Sequence, residues 1–482
     1  VDTTARDLDA LLAVGAVDVQ TLPDLPRRSD GRIDLDRLQV GLGTSLLESV
    51  PASPAAGRYS YVVAHARGRL GCWQDRSVLD LGDGDRLRIA DDPFVAMRLV
   101  FDAVRLRPDG DRSGLPPFFG GAVGAWSYDL GRVIEKVPQH AAGDGPSRLA
   151  DVLLVDAVVA IDHDDEVAHL IRRPLGAADD LPDDATITAL AKAASVPKLP
   201  ALAPMAVASS LPKQDYLAAV RTVLDHIAAG DVFQVNLTQR LSAPWPFDVG
   251  ALYRALRHHS PAPFAACHVT ADGEGIASIS PETFMQALGR QVATRPIKGT
   301  RPRSDDLLED LALKRELASS SKDRAENVMV VDMERNDLGR VCVPGSVRVP
   351  DLLSVEGHPT VWQLVSTVTG QLHPEVDYVD LLRATFPCGS ITGTPKVEAM
   401  KVIEELEPVR RSWYCGAIGF VAPGAMSTSV AIRSAVLRDG IAHYGAGGGI
   451  VADSDPAAEF EESLDKAMPF LRAVAADRSA LR

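Results

Sequence analysis

Hydrophobic positions recur at two spacings along this chain, and the change between them divides it. Asp151 to Ile161 is one of several short β-like apolar runs in the first half, separated by Asp/Gly turns. From Tyr216 the spacing lengthens. Tyr216, Leu217, Val220, Val223, Leu224 and Ile227 share one face of a helix, and Gly230 is placed to end it. Alternation returns from Ser427 to Leu437. A turn signal at Asp439-Gly440 and a run from Ile441 to Tyr444 complete a predicted hairpin. A late helix is marked by Asp455 as N-cap and Pro456 at its first position, with Phe460, Leu464, Ala467 and Leu471 as its buried stripe.

Strands and helices do not alternate regularly, so a parallel doubly wound sheet fits poorly. The pattern predicts an α+β fold of antiparallel sheets with flanking helices. A Pro- and Ala-rich seam from Ser195 to Pro212 (Pro197, Pro200, Pro204, Pro212) separates an N-terminal region, residues 1–195, from a region over 213–475, with 196–212 as linker.

Composition narrows the chemistry. The 482 residues are 46% hydrophobic and carry 50 Lys+Arg against 65 Asp+Glu, a net charge of −15. That balance argues against nucleic acid or an anionic membrane as partner. No apolar run approaches the ~18 residues of a membrane span. The five cysteines (Cys72, Cys267, Cys342, Cys388, Cys415) show no CxxC spacing, which argues against disulfides or zinc and fits a reducing cytoplasm. The polar, acidic N-terminal stretch does not read as a signal peptide. An anionic substrate would need local basic groups or a metal to enter such a field.

Several residues could supply that chemistry. Lys298 lies in Pro296-Ile297-Lys298-Gly299-Thr300, a lone amine between two backbone punctuators; such an amine is usually solvated, but burial would make it a nucleophile. Asp323 and Glu326, and Glu459 and Glu462, are each three apart on helical segments and so share a face. Such faces are most often merely solvated, but two brought together make an oxygen site suited to Mg²⁺. Ala446-Gly447-Gly448-Gly449-Ile450, read as following a strand, fails the dinucleotide pattern. Gly389-Ser390-Ile391-Thr392-Gly393-Thr394-Pro395-Lys396 fails the phosphate-loop pattern, because its glycines are too close and Pro395 precedes the lysine.

Taken together, Ser280-Pro281-Glu282, the PIKGT segment, the two acidic faces and the glycine-rich segment resemble the chorismate-utilising enzymes: anthranilate, aminodeoxychorismate, isochorismate and salicylate synthases. The likeness is dense from about Gln214 to Ala473 and sparser from about Leu46 to Pro138. It implies large antiparallel sheets packed as a sandwich. It also implies that Glu326 and Glu462 coordinate Mg²⁺, with Asp323 and Glu459 acting through water, and that the ion carries the ring carboxylate of chorismate. Gly447 and Gly449 would offer backbone N–H groups to a carboxylate. Arg433, read on an alternating strand, would pair with the enolpyruvyl carboxylate. Tyr414, Lys466 and Thr392 would line the substrate.

The resemblance also separates reactions. Gln234 falls where water-using relatives carry a lysine base, and glutamine cannot deprotonate water. Glu282 matches the acid that protonates the departing hydroxyl. Lys298 matches a lysine that attacks the ring at C2, whereas anthranilate synthases typically carry alanine there. Gln363 replaces a histidine linked in relatives to pyruvate elimination or substrate positioning. The implied activity is that of the aminating subunits of aminodeoxychorismate synthase: ammonia replaces the C4 hydroxyl of chorismate, towards 4-aminobenzoate and folate. An anthranilate synthase large subunit and a non-catalytic chorismate-binding regulatory partner are the alternatives. The intact set Glu282, Lys298, Glu326 and Glu462 stands against the second.

No G-x-C-x-G glutaminase elbow occurs, so ammonia is expected from a separate glutaminase subunit. Leu46-Leu47-Glu48-Ser49, Arg58-Tyr59-Ser60 and Ser127-Tyr128-Asp129 resemble elements of a tryptophan pocket, with Glu48, Ser49, Tyr59, Ser60 and Asp129 as its residues. A core hairpin with polar caps explains them equally well.

Overall fold

The computed structural model describes residues 5–43, 45–49, 57–82, 86–112, 114–143, 148–176, 181–199, 203–358 and 361–481; Pro200 of the expected linker lies outside them. Two long strands, Tyr59–Cys72 and Ala150–Asp162, pair antiparallel, and two sheets diverge from them. The first runs from Tyr59–Cys72 through Leu46–Glu48, Phe264–Val269, Gly275–Ser280, Ser434–Arg438 and Ile441–Ile450 to Gln234–Pro244. The second runs from Ala150–Asp162 through Gly121–Trp126, Ala417–Ala422, Ala425–Val430, Thr283–Leu288 and Gln291–Arg295 to Val361–Gln371. Each of these pairings is antiparallel. Ala266 and Ile276 of the first sheet meet Ala125 and Ile418 of the second in one buried cluster with Trp413, so the sheets face each other as a sandwich. The expected α+β architecture is therefore present.

Helices cover the outer faces. Val249–His259 and Pro456–Ala473 bury Leu252, Leu256, Ala467, Phe470 and Leu471 against Ala265 and Ala277 of the first sheet. Each such leucine contributes about 1.5–3 kcal/mol by leaving water. The late helix begins as read: the Asp455 side chain accepts from Ala458 N, Pro456 occupies the first turn, and Phe460, Leu464, Ala467 and Leu471 are buried. The earlier helix spans Lys213–Ala229 and stops at Gly230, whose φ of 83° an L side chain adopts only with strain. No helix among the described residues is long and apolar enough to cross a membrane.

Three expectations need correcting. Ser427 to Leu437 is not one strand. Ala425–Val430 belongs to the second sheet and Ser434–Arg438 to the first, so the chain changes sheets at Ala431-Ile432-Arg433. Arg433 is thus not on an alternating strand; it sits in the crossing with φ 51°. The glycine-rich segment does not follow a strand but forms the end of one, Ile441–Ile450, paired with Gln234–Pro244. The PIKGT segment is a strand, Ile297–Pro302, with a bulge against Val361–Gln371 between Ile297 and Thr300. The hairpin turn is as read, with Asp439 and Gly440 at φ 49° and 73° and Arg438 opposite Ile441.

Candidate active site

The bulge aims Lys298. Gly299 has φ 86°, and a Cβ there would lie 2.8 Å from Asp323 Cβ and 2.9 Å from Leu317 Cδ1, so only glycine lets the strand approach the Ser321–Gly339 helix this closely. Lys298 is half-buried, and its Nζ donates to the Ser390 carbonyl at 3.0 Å. Ser390 belongs to a 3₁₀ turn, Gly389–Ile391, whose own hydroxyl bonds Glu282. The Thr392 hydroxyl donates to the Cys388 and Gly389 carbonyls (3.1 and 3.2 Å), so in this arrangement it holds the turn.

Glu282 is buried between Gly275–Ser280 and Thr283–Leu288. Its backbone is fixed by Ser280 Oγ and by Val430 N, and Ile297 N approaches its Oε1 at 3.5 Å. Burial pushes this carboxyl above its ordinary value, against the pull of the Lys298 ammonium. A buried acid beside an amine is therefore in place.

The glycine strand is tied to the same region through Lys466, which bonds Gly447 and whose charge acts on Glu282. Asn236 and Thr238 turn their N–H groups away from that strand, to Thr392 O and Glu407 Oε1, each at 2.8 Å. The residues opposite them in the ladder, Gly449 and Gly447, then also face outward. The hairpin partner of this strand ends at Tyr444, so that edge is open. Lys466 Nζ takes the Gly447 carbonyl at 2.9 Å, and the Gly447 and Gly449 N–H groups point to the same side. A Cβ on Gly449 would lie 2.5 Å from Gln234 Nε2. Gln234 is buried, and its Oε1 has no hydrogen-bond partner. The half-buried Tyr414 ring occupies the space that a side chain at Gly445 would need, 2.2 Å away. Arg433 is half-buried, and its carbonyl accepts from Ile279 N.

The Glu459 and Glu462 face meets Gly448, which sequence reading passed over. A Cβ there would stand 3.2 Å from Glu459 Oε2, 3.4 Å from Glu462 Oε1 and 3.6 Å from Lys466 Nζ. Glu462 pairs with Lys466 at 2.7 Å, and Glu459 accepts from Ser454 at 2.6 Å. Lys322, also passed over, lies 3.9 Å from Glu326 and 3.7 Å from Glu459; its place four residues before Glu326 was the available signal. Burial raises the Glu326 and Glu459 carboxyls, whereas Lys466 holds Glu462 below its ordinary value. Asp323 is directed elsewhere, to Arg301 at 3.0 Å, so it does not stand with the other three. Among the described residues no three His, Cys, Asp or Glu side chains form a closed metal cluster as they stand. The donor set still suits a hard cation: Glu326 Oε1 is buried without a hydrogen-bond partner, and Glu459 and Glu462 present oxygens to one spot. A cleft of about 1020 Å³ opens beside Glu326 and Lys322.

A second cavity, about 430 Å³, lies between the sheets and is lined by Leu47, Glu48, Ser49, Tyr59, Phe264 and Met426 among others. Of the residues expected in a tryptophan-type pocket, Glu48, Ser49 and Tyr59 line it. Ser60 sits behind, accepting from Ser49 N at 3.0 Å. Asp129 does not line it: its carboxylate bonds Arg132 at 2.7 Å and Ser412 N at 3.2 Å. Glu48 also pairs with Arg257 at 2.7 Å, a structural contact.

Known proteins resemble this chain over most of its length. The family described as chorismate binding enzyme matches residues 59–472. Aminodeoxychorismate synthase component 1 of Salmonella typhimurium is 42% identical over 377 residues, 78% of this chain and 81% of that protein. Anthranilate synthase component 1 of Streptomyces coelicolor is 41% identical over 452 residues, 89% of this chain and 83% of that protein. The crystal structure of anthranilate synthase component I from Streptococcus pneumoniae superposes with a TM-score of 0.73 at 29% identity, covering 90% of this chain and 94% of that one.

Proposed function

The chain belongs to the chorismate binding enzyme family, and from that premise we propose that it aminates chorismate to 4-amino-4-deoxychorismate. The observation that carries this reading is the Ser390 turn, which holds the Lys298 amine through its carbonyl and the buried Glu282 acid through its hydroxyl, in a chain whose Gln234 cannot serve as a base for water. Glu282 gives its proton to the C4 hydroxyl, which leaves as water while Lys298, its ammonium having released one proton to solvent, bonds through that nitrogen to C2 and the ring double bonds shift. Ammonia adds at C4, the double bonds shift back, and the C2–N bond to Lys298 breaks. The proton on the incoming nitrogen returns to Glu282, so the net change is chorismate plus ammonia to product plus water.

The open-edge N–H groups of Gly447 and Gly449 suit a substrate carboxylate, with Lys466 as a cationic neighbour, and Arg433 would pair with a substrate carboxylate. Glu326, Glu459 and Glu462 would hold Mg²⁺, which would neutralise a carboxylate of the dianion in this acidic pocket. Ammonia would come from a separate glutaminase subunit, and the product would feed 4-aminobenzoate and folate synthesis in the cytoplasm. The near-equal identity to an anthranilate synthase favours a second reading, release of anthranilate and pyruvate; Lys298 argues against it.

The deciding experiment incubates the protein with chorismate, Mg²⁺ and ammonium. The expected product yields 4-aminobenzoate only after a lyase is added, without prior pyruvate. Anthranilate with stoichiometric pyruvate would sink the proposal.

A further inference from the structure

Glu334 lies on the Ser321–Gly339 helix, fully buried, and the chemistry above gives it no role. Its position relative to the Gly389–Ile391 turn supplies one. Glu334 Oε1 receives the Gly389 N–H at 3.3 Å and the Cys388 thiol at 3.5 Å. The same thiol lies 3.4 Å from Ser390 Oγ. Ser390 in turn offers its carbonyl to Lys298 Nζ and its hydroxyl to Glu282. The fit is close: a Cβ on Gly389 would lie 2.9 Å from Met333 Cε and 3.1 Å from Glu334 Oε1. One carboxyl thus anchors the turn that touches both reacting groups.

We propose that Glu334 is a positioning residue: it clamps the Cys388–Ser390 turn to the helix and through it sets the placement of the Lys298 amine relative to the Glu282 acid. The proposal rests on the amination reading given above.

The groups facing Glu334 suit a neutral clamp. Asp337 lies on the same helix, Lys396 opens the helix Lys396–Leu406, and Cys388 and Glu282 complete the surroundings. Burial and the Asp337 charge push the Glu334 carboxyl up to about 8. A protonated carboxyl still accepts the Gly389 N–H through its carbonyl oxygen, and it adds no negative charge beside Glu282. A glutamine side chain offers the same acceptor with the same reach. Leucine offers none.

The test compares wild type with Glu334→Leu and Glu334→Gln, using ammonium, Mg²⁺ and chorismate, with kcat and KM for chorismate measured separately and folding checked by thermal melting. A displacement of the order of 1 Å at reacting groups costs up to about 100-fold in rate. We therefore expect Glu334→Leu to lose tenfold or more in kcat with KM within about twofold, because Gly447, Gly449 and Tyr414 are untouched. Glu334→Gln should recover most of that loss. If the leucine variant does not fold, the folded glutamine variant still decides: a tenfold loss of kcat there overturns the acceptor role. A folded leucine variant with wild-type kcat, or a loss confined to KM, overturns the proposal. The wild-type product identifies the reaction independently, so failure of the amination reading is seen in a different arm.

Discussion

Neighbouring glycines on one strand should separate folding from function. At Gly447 a methyl group would lie 2.1 Å from Leu237 O and 2.6 Å from Thr238 Cα, both backbone atoms of the paired strand. Neither atom can yield without breaking the ladder. Overpacking of this kind costs roughly 1–3 kcal/mol, and a lost ladder hydrogen bond about 1 kcal/mol more. Gly447→Ala should therefore destabilise the protein by about 2–4 kcal/mol. At Gly448 the methyl would meet only the far ends of Glu459, Glu462 and Lys466, at 3.2, 3.4 and 3.6 Å. Those groups can swing aside, so the change in stability should stay within about 0.5 kcal/mol. The methyl would nevertheless occupy the spot where the carboxylate oxygens converge. Its expected effect is a rise of tenfold or more in the Mg²⁺ concentration for half-maximal turnover, about 1.4 kcal/mol of binding. Urea unfolding of both variants and a Mg²⁺ titration of chorismate turnover measure the two quantities. A Gly448→Ala protein with wild-type Mg²⁺ dependence would refute the convergence argument. A Gly447→Ala protein as stable as wild type would refute the steric one.

Lys298→Ala should lower turnover with ammonium by at least about 100-fold while leaving chorismate binding by calorimetry within a few fold, the mark of a group used in the reaction rather than in capture. Glu282 must be protonated to act, and burial raises its pKa; wild-type kcat/KM should therefore fall as pH rises through that raised value. Glu282→Gln should lose about 10²–10⁴-fold and show no such limb in its pH–rate profile. Burial and the Asp337 charge push the folded Glu334 carboxyl up from the ordinary 4.5 of the unfolded chain to about 8. Between those values the unfolded chain has lost a proton that the folded one keeps, so its contribution to stability falls as pH rises through the window. Unfolding of Glu334→Gln at pH 5 and pH 9 should show the variant gaining on wild type at the higher pH; a constant difference would remove the buried-acid assignment.

What could be seen in the sequence was local. Asp455-Pro456, Gly230 and Asp439-Gly440 mark ends and turns through their own backbone preferences, and each stands where it was read. The crossing at Ala431–Arg433 was not visible, because alternation runs through it and nothing local shows that a strand has changed partners. The glycine segment was read as following a strand rather than ending one, since glycine has low strand propensity; the space is required by the Tyr414 ring and the Gln234 amide, which come from elsewhere in the chain. Within the site, Lys298 and Glu282 carried recognisable neighbours. Asp323 was expected near the metal site, acting through water, and its partner Arg301, distant in sequence, gave no sign of drawing it away. Glu334 left no trace, because a lone glutamate on a polar helix gives no sign of being buried.

The strand pairings also govern how the chain can fold. Gly121–Trp126 finds its neighbour in Ala417–Ala422, and Leu46–Glu48 finds its neighbour in Phe264–Val269. During synthesis at about 5–20 residues per second, the strand at Gly121 waits tens of seconds for its partner to leave the ribosome. Through that interval the nascent chain exposes two sheet edges with unpaired backbone groups, the state most open to wrong pairing. A fragment ending at the Pro/Ala-rich seam would keep the Tyr59–Cys72 and Ala150–Asp162 pair but carry both open edges permanently. Production of this protein should therefore depend on chaperone supply and on translation speed more than its native stability suggests.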